Sequence, residues 1–245
     1  MLEGHAEPLG SPGPFAVRFS ADLERRMLEL VVDGLERWKA GGFNRNGDTE
    51  NEFTAVVLGH MWDAQRERNL PFRPSREQVE DSEEVLAGKS DPSRSPRIDI
   101  AVLYYWLAED AYYTIECKRL APGELARKYV VDGMLRFTSA KYSRKASFAA
   151  MLGYVVGGDP GTLWQDVNEE VRKYCTLRDK DCLVAASPIG TLLTVYMSQH
   201  TRSIEPATIC ITHLFYDVQT RPPSPLRPPS RPSRRKSGTK RPHWG

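Results

Sequence analysis

The sequence predicts an α/β fold, and three observations support that fold class. Segments with apolar residues at helical spacing alternate along the chain with short β-branched and aromatic runs of the kind that form strands. Of the 245 residues, 40% are hydrophobic and 9% are aromatic, which is enough for a buried core. No repeat occurs at the period of a solenoid or a propeller. We therefore expect one domain of ordinary size.

The predicted helices and strands follow a definite order. Cap and turn residues mark several of their ends, such as Ser20 before the first helix and Gly41-Gly42 after it. The predicted elements are helices over 20–40 and about 49–69, strands over 72–78, 97–106 and 111–118, a helix over 122–140, a strand over 151–156, a helix over 160–174, and strands over 192–197 and 209–218.

The two ends of the chain differ in composition from the rest. Residues 1–19 contain several Gly and Pro and are expected to be loosely ordered. Residues 220–245 are rich in Pro, Arg and Ser, and such a composition cannot bury enough apolar surface to fold. We therefore expect a folded domain over 20–219 and a disordered tail. The tail holds eight of the 34 Lys and Arg residues and no acid, so the remainder, with 32 acids, is net negative.

Several classes of protein are disfavoured by what the sequence lacks. No run approaches the roughly 20 apolar residues of a membrane span, and no secretion signal is expected. The four cysteines lie mostly in apolar runs without CxxC spacing, so we expect reduced thiols and a cytoplasmic protein. No HExxH, GxSxG or P-loop lysine motif occurs, which disfavours zinc, serine and nucleotide hydrolases.

Charged side chains interrupt the two apolar strands around the predicted loop at 107–110. If Trp106 pairs with Ala111, Asp99 lies opposite Lys118 and diagonal to Glu116. Glu116 and Lys118 then share one face of the hairpin, because side chains alternate along a strand. An amphipathic hairpin with ordinary surface charges would also produce this pattern.

A cation between the two carboxylates would offset the cost of placing them among apolar residues. A hard divalent ion, Mg²⁺ or Mn²⁺, suits such oxygen ligands. The pattern therefore predicts a metal site formed by Asp99 and Glu116, to which the backbone carbonyl of Cys117 could add a ligand. Lys118 would place a positive charge beside a substrate phosphate or hold the attacking water.

The arrangement of Asp99, Glu116 and Lys118 resembles the Asp…Glu-x-Lys motif of the PD-(D/E)XK nuclease superfamily, which includes many restriction endonucleases. The predicted element order over about 48–157 is similar to the core of that superfamily, with the acids on its second and third strands. The proline that precedes the aspartate in the motif is replaced here by Ile98. The resemblance implies a central mixed sheet flanked by helices, with a restriction endonuclease-like core (αβββαβ) and an appended helix and two strands.

The resemblance also implies a Mg²⁺- or Mn²⁺-dependent nuclease that hydrolyses phosphodiester bonds of DNA. Many members carry a further glutamate near the metal, on the helix before the sheet. We favour Glu52 for that role over Glu50, although both could simply complement the dipole of the helix. Two alternatives are a catalytically inactive subunit that binds nucleic acid or assembles with other proteins, and an interaction protein whose tail docks to a partner.

Basic residues are concentrated in and after the helix that follows the hairpin. They are expected to contact phosphates, although a solvated basic face is the alternative explanation. Arg136 could instead form a buried ion pair, because it shares a helix face with Tyr129 and Phe137. The predicted phosphate contacts are Arg127, Lys128, Arg136, Lys141, Arg144 and Lys145.

The run from Tyr129 to Tyr154 resembles a pattern found in prokaryotic members of the superfamily, some of which are encoded within antiviral systems. This implies an effector subunit of a defence complex. An unrestrained nuclease would be toxic, so a helicase or ATPase is the expected partner. DNA is the expected substrate, and the sequence leaves RNA and homo-oligomerisation open.

Overall fold

The computed structural model of the chain describes residues 21–43, 49–79, 87, 89, 91, 95, 97–104, 112–174 and 181–219. Within these residues the fold is α/β, with seven strands in one mixed sheet and four helices. The predicted fold class is therefore confirmed. Residues 1–20 and 220–245, the loop at 107–110 and the proposed Trp106–Ala111 pair lie outside the described residues.

The helices and strands lie close to their predicted positions. The helices are α1 (Ala21–Ala40), α2 (Glu50–Glu67), α3, which joins Glu124–Lys128, a π-helical turn at Tyr129–Met134 and Leu135–Thr138, and α4 (Leu163–Tyr174). The strands are β1 (Phe72–Val79), β2 (Arg97–Tyr104), β3 (Tyr112–Leu120), β4 (Phe148–Val155), β5 (Val184–Ala185), β6 (Val195–Thr201) and β7 (Thr208–Asp217). The two-residue strand β5 was not predicted.

The strand order in the sheet is β1-β2-β3-β4-β7-β6-β5. The pairs β3–β4 and β4–β7 are parallel, whereas the other four pairs are antiparallel. Helix α3 makes the crossover from β3 to β4, as a parallel pair requires. Strand β3 is buried along most of its length, as expected for a central strand with helices on both faces.

The core consists of one layer on each face of the sheet. Helices α1 and α2 pack on one face, where Trp38, Phe53 and Tyr154 are in edge-to-face or tilted contact. Helices α3 and α4 pack on the other face, around Tyr129 and Phe215. The sheet and both layers thus hold the ends of β2, β3, α2 and α3 in fixed relative positions.

Helix α3 packs very closely on the sheet at Gly133. A Cβ atom added there would lie 2.4 Å from Cε of Met151 and 3.5 Å from Cγ of Lys118. Glycine permits this approach because it has no side chain. The C-terminal half of α3 is thereby brought next to Lys118.

The predicted register of the β2–β3 hairpin is wrong by two residues. The prediction placed Asp99 opposite Lys118, but Ile100 pairs with Ile115, and the ladder continues from there to Leu103 and Tyr112. A shift of two residues leaves each side chain on its predicted face, because the side-chain period of a strand is two. Asp99, Glu116 and Lys118 therefore still lie on one face.

Two further findings bear on the composition of the chain. None of the helices in the described part is long and apolar enough to cross a membrane. Cys117, Cys182 and Cys210 are free thiols, and Cys175 lies outside the described residues.

Candidate active site

Three carboxylates surround the ammonium group of Lys118. Its Nζ lies 2.8 Å from Oε1 of Glu116, 2.9 Å from Oε1 of Glu50 and 3.8 Å from Oδ2 of Asp99. It also donates a hydrogen bond to the carbonyl oxygen of Cys117, at 2.8 Å. The structure thus brings Asp99, Glu116, Lys118 and the Cys117 carbonyl together, as the sequence analysis expected.

The site forms where β2 and β3 stop pairing, beyond Ile100. From that point two backbone amides of β3 donate to side chains instead. The amide of Cys117 donates to Oδ2 of Asp99 at 2.8 Å, and the amide of Arg119 donates to Oε2 of Glu50 at 3.1 Å. Buried backbone amides need acceptors, so these contacts fix both carboxylates against the end of the strand.

Glu116 is the most buried of the three acids. It is 1% exposed, and burial together with the negative charge of Asp99 raises the pKa of its carboxyl to about 8. Its Oε1 is 2.8 Å from Lys118 and 3.1 Å from Arg136, yet these cations only partly offset the effect of burial. Its Oε2 is buried and has no hydrogen-bond partner among the described residues.

The Lys118 ammonium is stabilised in its charged form. Burial opposes the charge, but the carboxylates of Glu116, Asp99 and Glu50 raise the pKa of Lys118 above its ordinary value. The site therefore combines a permanent cation with an acid that is readily protonated near neutral pH.

Arg136 forms the ion pair with Glu116 that the sequence analysis gave as an alternative to phosphate binding. Its Nη1 lies 3.1 Å from Oε1 of Glu116 and donates to Oη of Tyr142 at 2.6 Å. The guanidinium carbon lies 5.4 Å from the centre of the Tyr142 ring, and the Tyr142 hydroxyl donates to the carbonyl of Arg97 at 2.9 Å. Arg136 thus ties the end of α3 to β2 and β3.

The preference for Glu52 over Glu50 is wrong. Glu52 turns back onto Thr49, where its Oε2 accepts from the backbone amide at 3.0 Å and from Oγ1 at 2.7 Å. The Glu52 amide in turn donates to Thr49 Oγ1 at 3.3 Å, which completes a capping box. These hydrogen bonds lower the pKa of the Glu52 carboxyl. Glu52 is the third helical residue of the capping box, so its side chain is bound to the cap and turned away from the site. Glu50 faces the site instead and contacts Lys118.

The basic residues predicted to contact phosphates are dispersed. Arg127 forms a bidentate pair with Glu124, at 2.9 and 2.7 Å. Lys128 and Arg136 face the site, whereas Lys141, Arg144 and Lys145 are exposed in the turn after α3. Arg119, which the sequence analysis missed, also faces the site.

A cavity of about 410 Å³ opens next to the Glu50–Lys118 pair. The charged residues that line it are Glu50, Lys118, Arg119, Lys128, Asp132 and Arg136. Four cations and two acids give the cavity a net positive lining, which favours an anionic ligand.

The oxygens that could hold a metal are those of Asp99, Glu116 and Glu50, together with the Cys117 carbonyl. The buried Oε2 of Glu116 has no hydrogen-bond partner among the described residues and is suited to bind a metal ion, because hard divalent ions prefer carboxylate oxygens. In the part of the chain that is described, however, no group of three or more His, Cys, Asp or Glu side chains is arranged to share an ion. The carboxylates converge on the Lys118 ammonium instead.

A second buried polar cluster lies elsewhere on the same face of the sheet and was not foreseen from the sequence. Ser198 Oγ is 2.8 Å from Nε2 of His200 and 2.8 Å from Nε2 of His213. Nδ1 of His200 lies 3.2 Å from Oδ1 of Asp181, and Nδ1 of His213 lies 3.0 Å from Oη of Tyr129. Burial lowers the pKa of both imidazoles, so both rings are neutral at neutral pH.

Comparisons of this chain with protein-family models, with curated proteins and with solved structures found no match. Its function must therefore be argued from the residues and the geometry of the site.

Proposed function

We propose that this chain is a metal-dependent nuclease that hydrolyses phosphodiester bonds of DNA and uses Mg²⁺ or Mn²⁺. The observation that carries the proposal is the convergence of Asp99, Glu116 and Glu50 on Lys118 at the end of two strands. Such a concentration of buried charge is costly for stability alone. A carboxyl with a strongly raised pKa, as Glu116 has, is more typical of an active site.

The ion would be held by oxygens of Asp99, Glu116 and Glu50 and by the Cys117 carbonyl. When bound, it supplies a water of lowered pKa and neutralises charge that develops on the phosphate. The backbone amides of Cys117 and Arg119 orient the carboxylates of Asp99 and Glu50. Arg136 orients Glu116 through Oε1 and leaves Oε2 available.

Lys118 has a separate role in the proposal. Its ammonium keeps its proton because the surrounding carboxylates stabilise the charge. A fixed positive charge that faces the cavity would stabilise the negative charge on the phosphate as the bond to water forms.

The order of elements supports the same class of nuclease. Helix α2, strands β1, β2 and β3, helix α3 and strand β4 follow the order αβββαβ, and the acids lie on the second and third of these strands. This order resembles the restriction endonuclease-like core of the PD-(D/E)XK superfamily. A helicase or ATPase partner and a role in antiviral defence are further parts of this proposal.

The test is a cleavage assay on purified protein with supercoiled plasmid, linear duplex and single-stranded DNA, with Mg²⁺ and with EDTA. Glu50→Gln and Glu52→Gln are a matched pair, since they remove the same charge from the same helical turn. We expect Mg²⁺-dependent cleavage by the wild type and by Glu52→Gln, and its loss in Glu50→Gln and Glu116→Gln. Cleavage by Glu116→Gln at the wild-type rate would overturn the proposal.

A second candidate is a nucleic-acid-binding subunit without turnover. It is favoured by the ion pairs that Lys118 makes with all three carboxylates, since these could be a closed structural network. DNA binding by a wild type that cleaves none of the three substrates would select this function.

A further inference from the structure

One face of helix α3 forms the wall of the cavity beside Lys118. Leu125, Lys128, Asp132 and Arg136 all line it, at a spacing of i, i+3, i+7 and i+11. This spacing places the four residues on one face of a helix. The opposite side of the cavity is formed by the start of α2 and the end of β3, where Glu50 and Lys118 lie.

The four cations of the cavity differ in their surroundings. Lys118 and Arg136 each lie within 3.1 Å of Oε1 of Glu116 and belong to the site itself. Lys128 has a looser ion pair, with its Nζ 3.8 Å from Oε1 of Glu124, and its side chain is 49% exposed. Its neighbour Arg127 is held in a bidentate pair by the same glutamate. Consecutive helical residues point about 100° apart, so only Lys128 of the two faces the cavity.

We propose that this cavity is the subsite for the phosphate next to the scissile one, and that Lys128 is the side chain that binds it, with Arg119 as a second cation of the lining. The inference rests on the proposed nuclease function and narrows its substrate to strands with successive phosphates. The volume of about 410 Å³ lies in the lower part of the range of small-molecule sites, about 300–1,000 Å³, which suits one nucleotide unit. Lys128 lies on the α3 wall, on the other side of the cavity from Glu50 and Lys118, so we assign it to substrate binding and not to the chemical step.

The first test measures binding, so it does not depend on turnover. Affinity of the full chain for a labelled oligonucleotide is measured in EDTA between 50 and 200 mM salt. Lys128→Ala should reduce the log–log salt slope by about 0.7–0.9, the value for one lost phosphate contact, and Lys128→Arg should restore it. The matched control is Lys173→Ala, since Lys173 also pairs with a glutamate one turn earlier and is similarly exposed, at 58%. A slope that Lys128→Ala and Lys173→Ala change equally, or that neither changes, would overturn the proposal.

The second test uses cleavage to separate the adjacent phosphate from the scissile one. Bis(4-nitrophenyl) phosphate contains a single phosphodiester and cannot occupy the subsite. Lys128→Ala should lower kcat/KM for an oligonucleotide by about tenfold or more and leave kcat/KM for the chromogenic diester within twofold. An equal loss on both substrates would place Lys128 in the chemistry and overturn the subsite. If the wild type cleaves neither substrate but the salt slope depends on Lys128, the nuclease proposal fails and the phosphate site stands.

Discussion

The backbone amide of Cys117 donates a hydrogen bond to Oδ2 of Asp99 at 2.8 Å, in the place where a carbonyl of β2 would accept it in a continuous ladder. Glu50 does the same for Arg119 at 3.1 Å. The carboxylates of Asp99 and Glu50 therefore have a structural role as well, because they accept hydrogen bonds from backbone amides of β3 where the two strands separate.

Asp99→Ala and Asp99→Asn should differ in stability although both remove the negative charge. Asparagine keeps an oxygen that can accept from the Cys117 amide, whereas alanine leaves that buried amide without an acceptor. We expect Asp99→Ala to lower the free energy of unfolding by about 1–3 kcal/mol relative to Asp99→Asn. Urea denaturation of both variants without metal measures the difference. Equal stability of the two would mean that the hydrogen bond contributes little.

Glu116 should make the metal-free protein less stable as the pH rises. Its pKa of about 8 in the folded state lies above the ordinary value near 4.5, so the folded state holds a proton that the unfolded state has lost. Stability from this group is complete below about pH 4.5 and is lost as the pH rises toward 8. We expect Glu116→Gln to abolish roughly 1–4 kcal/mol of the decline between pH 5 and pH 8.

The control for Glu116→Gln is Glu52→Gln, which should leave the decline in place. The pKa of Glu52 is lowered by its bonds to Thr49, so its contribution has the opposite sign and lies at lower pH. Denaturation curves at pH 5, 6.5 and 8 measure both variants. An unchanged decline in Glu116→Gln would show that another group causes it.

Lys118→Met should destabilise the metal-free protein and should do so more at pH 8 than at pH 5. The substitution leaves three carboxylates without their shared cation, and breaking a buried ion pair from one side costs about 3–5 kcal/mol. At pH 5 the Glu116 carboxyl is protonated, which relieves part of that cost. Thermal melting at the two pH values measures the effect, with Lys173→Met as the exposed control. A uniform loss at both values would argue against charge repulsion.

Ser198→Ala should be costly although it removes only one hydroxyl. The serine is the shared partner of two buried imidazole nitrogens, and the substitution leaves both without it. We expect a loss of about 2–6 kcal/mol in the free energy of unfolding, from about 1–3 kcal/mol for each of the two buried groups left unsatisfied. Ser198→Thr keeps the hydroxyl and should lose less, whereas a cost of Ser198→Ala below about 0.5 kcal/mol would contradict the hydrogen bonds.

The helices and long strands could be predicted because hydrophobic periodicity reports the local structure directly. The register of β2 and β3 could not be predicted, because the loop length sets the register and the stretch around 107–110 has no turn signature that fixes that length. The role of Glu50 was available from sequence and was missed, since Thr49-Glu50-Asn51-Glu52 has the spacing of a capping box, which assigns Glu52 to the cap. Strand β5 has two residues and is too short to show a period.

The contacts between distant residues were beyond reach of sequence reasoning. Arg136 and Glu116 are 20 positions apart, and Tyr129 and His213 are 84 positions apart. The packing of helix α3 on the sheet brings each pair together. The orientation of α3 also decides that Lys128 lines the cavity whereas Arg127 forms its bidentate pair with Glu124.

The chain of contacts from Asp181 to Tyr129 has a fixed proton order. An ionised carboxylate can only accept, so Nδ1 of His200 must carry the hydrogen and Nε2 must accept from Ser198. The serine oxygen then accepts from Nε2 of His213, whose bare Nδ1 accepts from the Tyr129 hydroxyl.

Asp181, at one end of this series of hydrogen bonds, thus sets the tautomers of His200 and His213. Every hydrogen points from helix α3 toward Asp181, and the four dipoles add along the path. Asp181→Asn, with an amide that can donate, would permit the reverse order. Tyr129 lies at the start of the π-helical turn of α3. The series of oriented hydrogen bonds therefore ends on the same helix that carries Lys128 and Arg136.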